Sequence, residues 1–181
     1  MSQLIPAETD TGPAAGTRIT VATPEEMREF GRRLAALLLP GDLLLLTGEL
    51  GAGKTTLTRG IGEGLGVRGA VTSPTFVIAR VHPPLAAGRP ALVHVDAYRL
   101  GGGLEEMEDL DLDVSLPDSV VVVEWGDDKV ERLSEDRLHL VLERAPGGPP
   151  DPEAVADEDV RIVTVRGVGR RWDGLRLPVP E

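Results

Sequence analysis

The apolar residues of this chain follow a period of two in some stretches and a helical period in others. Residues 17–23 (TRITVAT) alternate apolar and polar side chains, which predicts a strand at the edge of a sheet. Residues 119–125 (SVVVVEW) are apolar at successive positions, so we expect this strand in the centre of the sheet, with both faces buried. The other stretches with strand character are residues 42–47, 76–81, 91–96, 137–143 and 160–167.

Helical spacing begins directly after the first strand. Apolar side chains three and four residues apart run from Met27 to about Leu39 and stop before a Pro-Gly pair. Thr23 and Glu26 form a capping box, with Pro24 at the first helical position. We therefore predict a helix that starts after Thr23 and ends near Leu39.

The whole pattern predicts an α/β protein with a mixed, partly antiparallel sheet of about seven strands. Only two or three helices accompany these strands, one of them a short acidic helix at residues 104–112, so βαβ units cannot alternate throughout. The last two strands form a predicted hairpin, joined by a flexible acidic and proline-rich loop at residues 145–159. We expect one domain at residues 17–169, after a disordered leader at residues 1–16 and before a C-terminal tail at residues 170–181.

Composition limits the partners and the compartment. The net charge is −11, whereas a protein that binds nucleic acid by itself usually has a basic surface, so direct tight binding to RNA or DNA is disfavoured. The chain has no cysteine, which excludes disulfide and thiolate chemistry. The first 17 residues lack Lys, Arg and any apolar run, so we expect no signal or transit peptide. With no apolar stretch long enough for a membrane span, these features predict a cytoplasmic protein without membrane contact.

Residues 48–56 (GELGAGKTT) carry the most specific motif of the chain. Gly48, four residues, Gly53, Lys54 and Thr55 match the phosphate-binding loop of P-loop proteins. A short apolar strand precedes the motif, and apolar residues at every fourth position follow it, which is the strand–loop–helix context that the motif requires. In such a loop the backbone N–H groups meet the phosphates, the lysine reaches the β- and γ-phosphates, and the threonine hydroxyl binds Mg²⁺.

Two predicted strands end in carboxylates that suit nucleotide hydrolysis. Glu124 ends the apolar run at residues 119–125, where an acid can reach Mg²⁺; the alternative is an ordinary residue of a surface turn. Asp96 ends the strand at residues 91–96 and is a candidate to orient the attacking water or a metal-bound water.

Further polar residues near these strand ends have two interpretations each. His94 shares a strand face with Asp96 and is either catalytic or, as is more common, a hydrogen-bonded core histidine. Arg99 either acts on phosphate or forms a structural ion pair. Ser73 and Thr75, in residues 72–76 (TSPTF), belong either to a switch that senses the γ-phosphate or to a simple turn. The chain lacks the NKxD sequence that reads guanine, which makes GTP unlikely as the ligand.

Four motifs then occur in a fixed order between residues 48 and 125: GELGAGKTT, SPTF, HVDAYRL and VEW. Together they resemble the TsaE family, also called YjeE. These are small bacterial ATPases needed to make threonylcarbamoyladenosine beside the anticodon of tRNAs that read ANN codons. The resemblance covers residues 17–142. The leader, the sequence EWGD and the long loop near residue 150 depart from the family pattern.

The resemblance implies a P-loop NTPase fold and a binding site for ATP or ADP with Mg²⁺. It places Thr55 and Glu124 on Mg²⁺, Asp96 near the γ-phosphate, and the segment near Thr23 and Pro24 close to the adenine. The residues whose backbone it places around the phosphates are Glu49, Leu50, Gly51, Ala52, Gly53, Lys54, Thr55 and Thr56.

The resemblance also implies a role in an assembly. It gives TsaB and TsaD as partners, where TsaD transfers the threonylcarbamoyl group to adenosine. The chain would hydrolyse ATP, slowly alone and faster with its partners, to reset or regulate that complex, and would meet tRNA only indirectly.

Two other classes of function remain open at this point. One is a small-molecule P-loop kinase, against which the lack of an arginine-rich lid argues. The other is a nucleotide-gated binding module with little turnover, against which the carboxylates at Glu124 and Asp96 argue.

Overall fold

A computed structural model describes residues 16–49, 51–69, 79–96, 116–124, 136–145, 160–174 and 176–177. Within these ranges the chain forms seven strands and two α-helices. The strands are β1 (Thr17–Val21), β2 (Leu43–Gly48), β3 (Ala79–His82), β4 (Ala91–Asp96), β5 (Ser119–Glu124), β6 (Arg137–Arg144) and β7 (Arg161–Val168). The helices are α1 (Pro24–Ala35) and α2 (Lys54–Leu65), and two short 3-10 turns lie at Leu116–Asp118 and Arg170–Trp172.

The seven strands form one sheet in the order β1-β7-β6-β2-β5-β4-β3. The central strand β2 runs parallel to β5 and β6, and β4 runs parallel to β5, whereas the pairs β1–β7, β6–β7 and β3–β4 are antiparallel. The prediction of a mixed, partly antiparallel α/β sheet is therefore confirmed. The position of β1 at an edge, of β5 between two strands with all six residues buried, and of β6 and β7 in a hairpin also agrees with the sequence pattern.

The N-cap predicted at the start of α1 is present, and the return bond of the capping box reaches the residue before the cap. Thr23 is the N-cap, and its side chain accepts a hydrogen bond of 3.1 Å from the Glu26 backbone N–H. The Glu26 carboxylate in turn accepts a hydrogen bond of 2.8 Å from the backbone N–H of Ala22. The first bond satisfies a backbone donor that the helix start leaves without an intrahelical partner, and the second satisfies the N–H of the residue before the cap.

The predicted end of α1 near Leu39 is wrong, because the helix ends at Ala35. The backbone N–H of Leu39 donates instead to the Asp42 carboxylate at 2.7 Å. Asp42 is also held by the Arg171 guanidinium at 3.0 Å, and this guanidinium donates to the Leu37 backbone carbonyl at 2.8 Å. A contact with the far end of the chain therefore fixes the α1–β2 connection in a non-helical path.

Two other predicted elements fall partly or wholly outside the described residues. The strand expected at residues 76–81 appears as β3, Ala79–His82, and residues 70–78 are not described. The acidic helix at 104–112 also lies outside the described ranges, as does most of the predicted loop 145–159. No helix of the described residues is long and apolar enough to cross a membrane.

Helices α1 and α2 pack on one face of the sheet and share a core with it. The apolar residues at every fourth position of α2 are all buried: Leu57, Ile61 and Leu65 are at most 2% exposed. They join the inward side chains of α1, such as Phe30 and Leu34, in one cluster. This packing fixes the direction in which α2 leaves the loop that joins it to β2.

The two helices approach each other closely where α2 carries glycines. A Cβ atom added to Gly60 would lie 2.1 Å from the Arg28 carbonyl oxygen, and one added to Gly64 would lie 2.5 Å from the Ala35 Cβ. On α1, a Cβ on Gly31 would lie 2.5 Å from the Leu57 carbonyl oxygen. The backbones therefore meet without intervening side chains at this crossing.

A charged cluster stands at the rim of the same helix pair. Glu63 of α2 accepts hydrogen bonds from Arg28 and Arg32 of α1, with the Arg28 Nε at 2.8 Å and the Arg32 Nε at 2.9 Å. Arg32 also bonds Glu29 on its own helix. The two guanidinium groups, Arg28 foremost, hold the pKa of Glu63 down at about 2.

We predict that Gly60→Ala destabilises the protein by about 2 kcal/mol, because the new methyl group overlaps the Arg28 backbone. The sign is the test, since alanine in place of glycine at an unobstructed helical position stabilises by about 1 kcal/mol. The measurement is the free energy of unfolding in urea. A variant as stable as the wild type, or more stable, would contradict this close contact.

We predict that Glu63→Gln lowers the free energy of unfolding by about 1 kcal/mol at pH 7, a modest value because solvent screens the half-exposed cluster. The folded pKa of Glu63 lies at about 2, below its unfolded value. The loss of unfolding free energy in the variant therefore has its whole value above about pH 5. It then shrinks as the pH falls towards 2. Urea unfolding at several pH values measures it, with Glu143→Gln as the control for net charge. A difference that is independent of pH would contradict the ion cluster.

Candidate functional site

The loop between β2 and α2 has the backbone that the phosphate-loop motif requires. Gly51 has φ of 81° and Gly53 has φ of 104°, a region that residues with a side chain rarely adopt. Between them, the Ala52 backbone N–H donates to the Glu49 carbonyl at 3.0 Å and closes a tight turn. Leu50, which the sequence places in the same loop, lies outside the described residues.

The start of α2 faces this loop without a side-chain cap. Its N-cap is Gly53, which has no side chain to accept a hydrogen bond from the first turn. The helix is 12 residues long, so its first backbone N–H groups and its dipole together form a positive end. Thr55 and Thr56 lie in the first turn and are partly exposed. Such a helix end is suited to bind an anion.

Lys54 is held against the loop by the loop's own backbone. Its Nζ donates to the Gly48 carbonyl at 2.5 Å and to the Glu49 carbonyl at 2.9 Å, and the residue is only 5% exposed. Burial lowers the pKa of the Lys54 ammonium, and the negative charges of Glu124 and Asp96 oppose this effect. The ammonium and the two carboxylates therefore share one electrostatic environment.

Strand register places the two carboxylates side by side next to the loop. Asp96, at the end of β4, pairs with Glu124 at the end of β5, and Glu124 pairs with Leu46 of β2. Leu46 lies two residues before Gly48, so both carboxylates end at the same sheet edge at which the phosphate loop begins. The sequence predicts each carboxylate at the end of a strand, and the register brings the two strand ends together beside the loop, which assigns no chemical role by itself.

His94 is completely buried and contacts Glu124. Its Nε2 lies 2.9 Å from Oε1 of Glu124, and its exposed fraction is 0%. The register pairs His94 with Val122, so His94, Asp96 and Glu124 lie on one face of two neighbouring strands. The structure therefore agrees with the interpretation of His94 as a hydrogen-bonded core histidine, and its partner is a candidate site residue.

A second side of the loop borders β6 and β7. A cleft of about 430 Å³ opens there, lined by Thr47, Gly48, Glu49, Ala52, Val141, Leu142, Glu143 and Arg144. Arg161 donates from Nη2 to the Gly51 carbonyl at 3.3 Å, and it pairs with Arg144 across the hairpin. The sequence did not indicate these two arginines. The only sequence feature that points to them is the presence of an arginine near each end of the predicted hairpin loop.

The start of α1 also lies close to the loop. The terminal methyl carbon of Met27 would be 3.3 Å from a Cβ atom on Gly53. Thr23 and Pro24, one turn earlier on α1, are exposed, and the Thr23 hydroxyl serves the capping box. The candidates Ser73, Thr75 and Arg99 lie outside the described residues.

The described residues contain no group of three or more His, Cys, Asp or Glu side chains able to hold a metal ion. A magnesium ion commonly takes only one or two protein ligands and completes its shell with water and substrate phosphates. Thr55 beside the uncapped helix end and Glu124 at the sheet edge fit that chemistry. The loop fits the phosphates through its two left-handed glycines and the Lys54 ammonium.

Comparison with known proteins shows which family the chain resembles in sequence. Residues 21–147 match the family model described as threonylcarbamoyl adenosine biosynthesis protein TsaE. A tRNA threonylcarbamoyladenosine biosynthesis protein TsaE from Streptomyces coelicolor is 73% identical over 146 residues, which are 81% of this chain and 93% of that protein. The TsaE protein of Bacillus subtilis is 39% identical over 84% of this chain and 86% of its own length.

Comparison with solved structures agrees with these sequence matches. The crystal structure of Bacillus subtilis YdiB is similar with a TM-score of 0.66 and 32% sequence identity, over 90% of this chain and 93% of that one. The α/β sheet with its phosphate loop is accordingly a P-loop NTPase-like fold. On the match of the family model and the identity to several TsaE proteins over most of its length, the chain belongs to the TsaE family of tRNA threonylcarbamoyladenosine biosynthesis proteins.

Proposed function

We propose that the chain binds ATP with Mg²⁺ and hydrolyses it to ADP and phosphate in the service of tRNA threonylcarbamoyladenosine biosynthesis. The observation that carries the proposal is the convergence of Lys54 with Glu124 and Asp96 at the mouth of the phosphate loop. A buried ammonium next to two carboxylates and a free helix end is an arrangement for holding a charged, metal-bound phosphate chain.

The loop binds the phosphates of ATP as substrate through backbone N–H groups and through Lys54. The carbonyl oxygens of Gly48 and Glu49 hold the Lys54 ammonium in the loop, so the positive charge is already placed before the substrate arrives. A charge fixed in advance costs little reorganisation when the phosphates bind, and it stabilises charge that develops on them during transfer.

The residues suited to hold Mg²⁺ are Thr55, through its hydroxyl, and Glu124, through its carboxylate. When bound, Mg²⁺ would neutralise charge on the phosphate oxygens, which favours attack of water on the γ-phosphorus and departure of ADP. Glu124 is 4% exposed, so solvent screens its negative charge little.

Asp96 orients the attacking water in this proposal. It ends β4 directly beside Glu124, and it is partly exposed, which gives water access to its carboxylate. A carboxylate in this position accepts a proton from the water as the bond to phosphorus forms.

The partners in this proposal are TsaD and TsaB, and the site of action is the cytoplasm. The net charge of −11 suits a protein that leaves tRNA contact to others in the assembly. ATP hydrolysis would then reset or regulate the TsaD transferase, with faster turnover when the partners are present.

Analysis of the products tests the reaction type. The purified chain is incubated with γ-labelled ATP and Mg²⁺, and the label is followed into all products. We expect inorganic phosphate, and more of it when TsaB and TsaD are added. Transfer of the label to a metabolite would favour a kinase, and intact ATP under both conditions would favour a binding module without turnover.

We predict that Lys54→Met lowers the rate of ATP hydrolysis by about a hundredfold, because the phosphates lose their fixed counter-charge. ATP affinity, measured by fluorescence with a labelled nucleotide, should fall as well. Arg68→Met removes an exposed positive charge just after α2 and is the matched control. Turnover near the wild-type rate in Lys54→Met would mean that the loop does not take part.

We predict that Asp96→Asn slows hydrolysis about a hundredfold and leaves ATP affinity within about threefold, because its role is in the transition state. The measurements are single-turnover hydrolysis and equilibrium binding. The control is Asp118→Asn. Asp118 lies in the 3-10 turn before β5, at the edge of the sheet opposite to the candidate site. An unchanged rate with a weakened affinity would assign Asp96 to binding instead.

A further inference from the structure

The Glu124 carboxylate is buried and therefore needs a hydrogen-bond donor. Its side chain is only 6% exposed, and it lies on the face of the sheet that carries the helices. A buried carboxylate without hydrogen bonds is costly, so its orientation is set by the groups that donate to it. In this structure the donor on Oε1 is the Nε2 atom of His94, at 2.9 Å.

The hydrogen bonding of the imidazole fixes its tautomer. The Nδ1 atom of His94 is buried and has no hydrogen-bond partner. A proton on Nδ1 would leave a buried N–H unsatisfied and would turn an Nε2 lone pair towards the carboxylate. The arrangement therefore assigns the proton to Nε2, which donates to Oε1 of Glu124.

We infer that His94 is a positioning residue: it holds Oε1 of Glu124 so that the Oε2 atom is presented to the magnesium ion of the phosphate loop. The inference rests on the proposed function, in which Glu124 is a metal ligand. Groups that hydrogen-bond metal ligands fix their orientation, and their loss typically costs about 10- to 100-fold in metal affinity or activity.

The fold supports this role through the rigidity of the two groups. His94 lies inside β4 and Glu124 at the end of β5, and the parallel register between these strands sets the separation of the two side chains. His94 is 0% exposed, so packing on all sides limits its rotamers. A histidine that merely filled space would not need a ring nitrogen at hydrogen-bond distance from a candidate ligand.

The chain supplies a matched control in His82. It lies on β3, is 4% exposed, and faces the same side of the sheet as His94, since His82 pairs with Leu92. Its Nε2 atom is buried and has no hydrogen-bond partner. Replacing His82 therefore disturbs the same core without removing a bond to Glu124.

The test measures the affinity for Mn²⁺, followed by electron paramagnetic resonance in the presence of a non-hydrolysable ATP analogue. We expect His94→Leu to weaken Mn²⁺ binding about tenfold or more, and His94→Gln, whose amide can donate from the position of Nε2, to restore it to within about threefold. His82→Leu should leave Mn²⁺ affinity unchanged. Affinity for the metal-free nucleotide should be the same in all variants.

A double-mutant comparison separates this inference from the proposed function. In a Glu124→Gln background, the further change His94→Leu should have no effect on Mn²⁺ affinity, since both changes remove the same ligand interaction. If Glu124→Gln itself leaves Mn²⁺ binding intact, the metal site of the proposed function is wrong, and the role of His94 falls with it. If Glu124→Gln weakens binding but His94→Leu does not, or if His94→Gln is as weak as His94→Leu, only the positioning role is overturned.

A measurement on the wild-type protein covers the case in which His94→Leu does not fold. Nitrogen-15 NMR of the histidine rings distinguishes the two neutral tautomers. We expect the proton of His94 on Nε2, and a proton on Nδ1 would overturn the inference.

Discussion

The parallel register of three central strands is the constraint on which the candidate site depends. Leu46 of β2, Glu124 of β5 and Asp96 of β4 are successive partners across the sheet. Because all three strands run in the same direction, the residues at their carboxyl ends meet at one edge. β2 continues from that edge directly into the phosphate loop, so a shift of β5 by one residue would turn the Glu124 side chain to the other face of the sheet.

The helix pair fixes the other half of the site. The glycines of α2 allow its backbone to approach α1 closely, and the apolar side of α2 lies in the core. The N-terminal end of α2 therefore has a set direction, and with it the Lys54 ammonium, which the carbonyls of Gly48 and Glu49 hold in place. A preformed positive site of this kind avoids much of the entropy cost of ordering groups around a bound anion.

Much of this arrangement is local in sequence and was therefore predictable. The phosphate loop, the capping box at Thr23 and the acids at strand ends are all short-range patterns. The end of α1 was mispredicted because a contact between Asp42 and Arg171, 129 residues apart, decides it. Likewise, the bond between His94 and Glu124 spans 30 residues, and that between Arg161 and Gly51 spans 110. Periodicity shows which face a residue occupies, but only the order and register of the strands show which residues meet.

The central claim is that the loop, the two strand-end carboxylates and the end of α2 form one site for ATP with Mg²⁺. Calorimetric titration of ATP into the purified chain, first with Mg²⁺ and then with EDTA, tests it most directly. The account predicts one binding site per chain and a clearly weaker affinity in EDTA, because Glu124 then faces the phosphates without a metal ion between them. No detectable binding of ATP under either condition, or an affinity that does not depend on Mg²⁺, would contradict it.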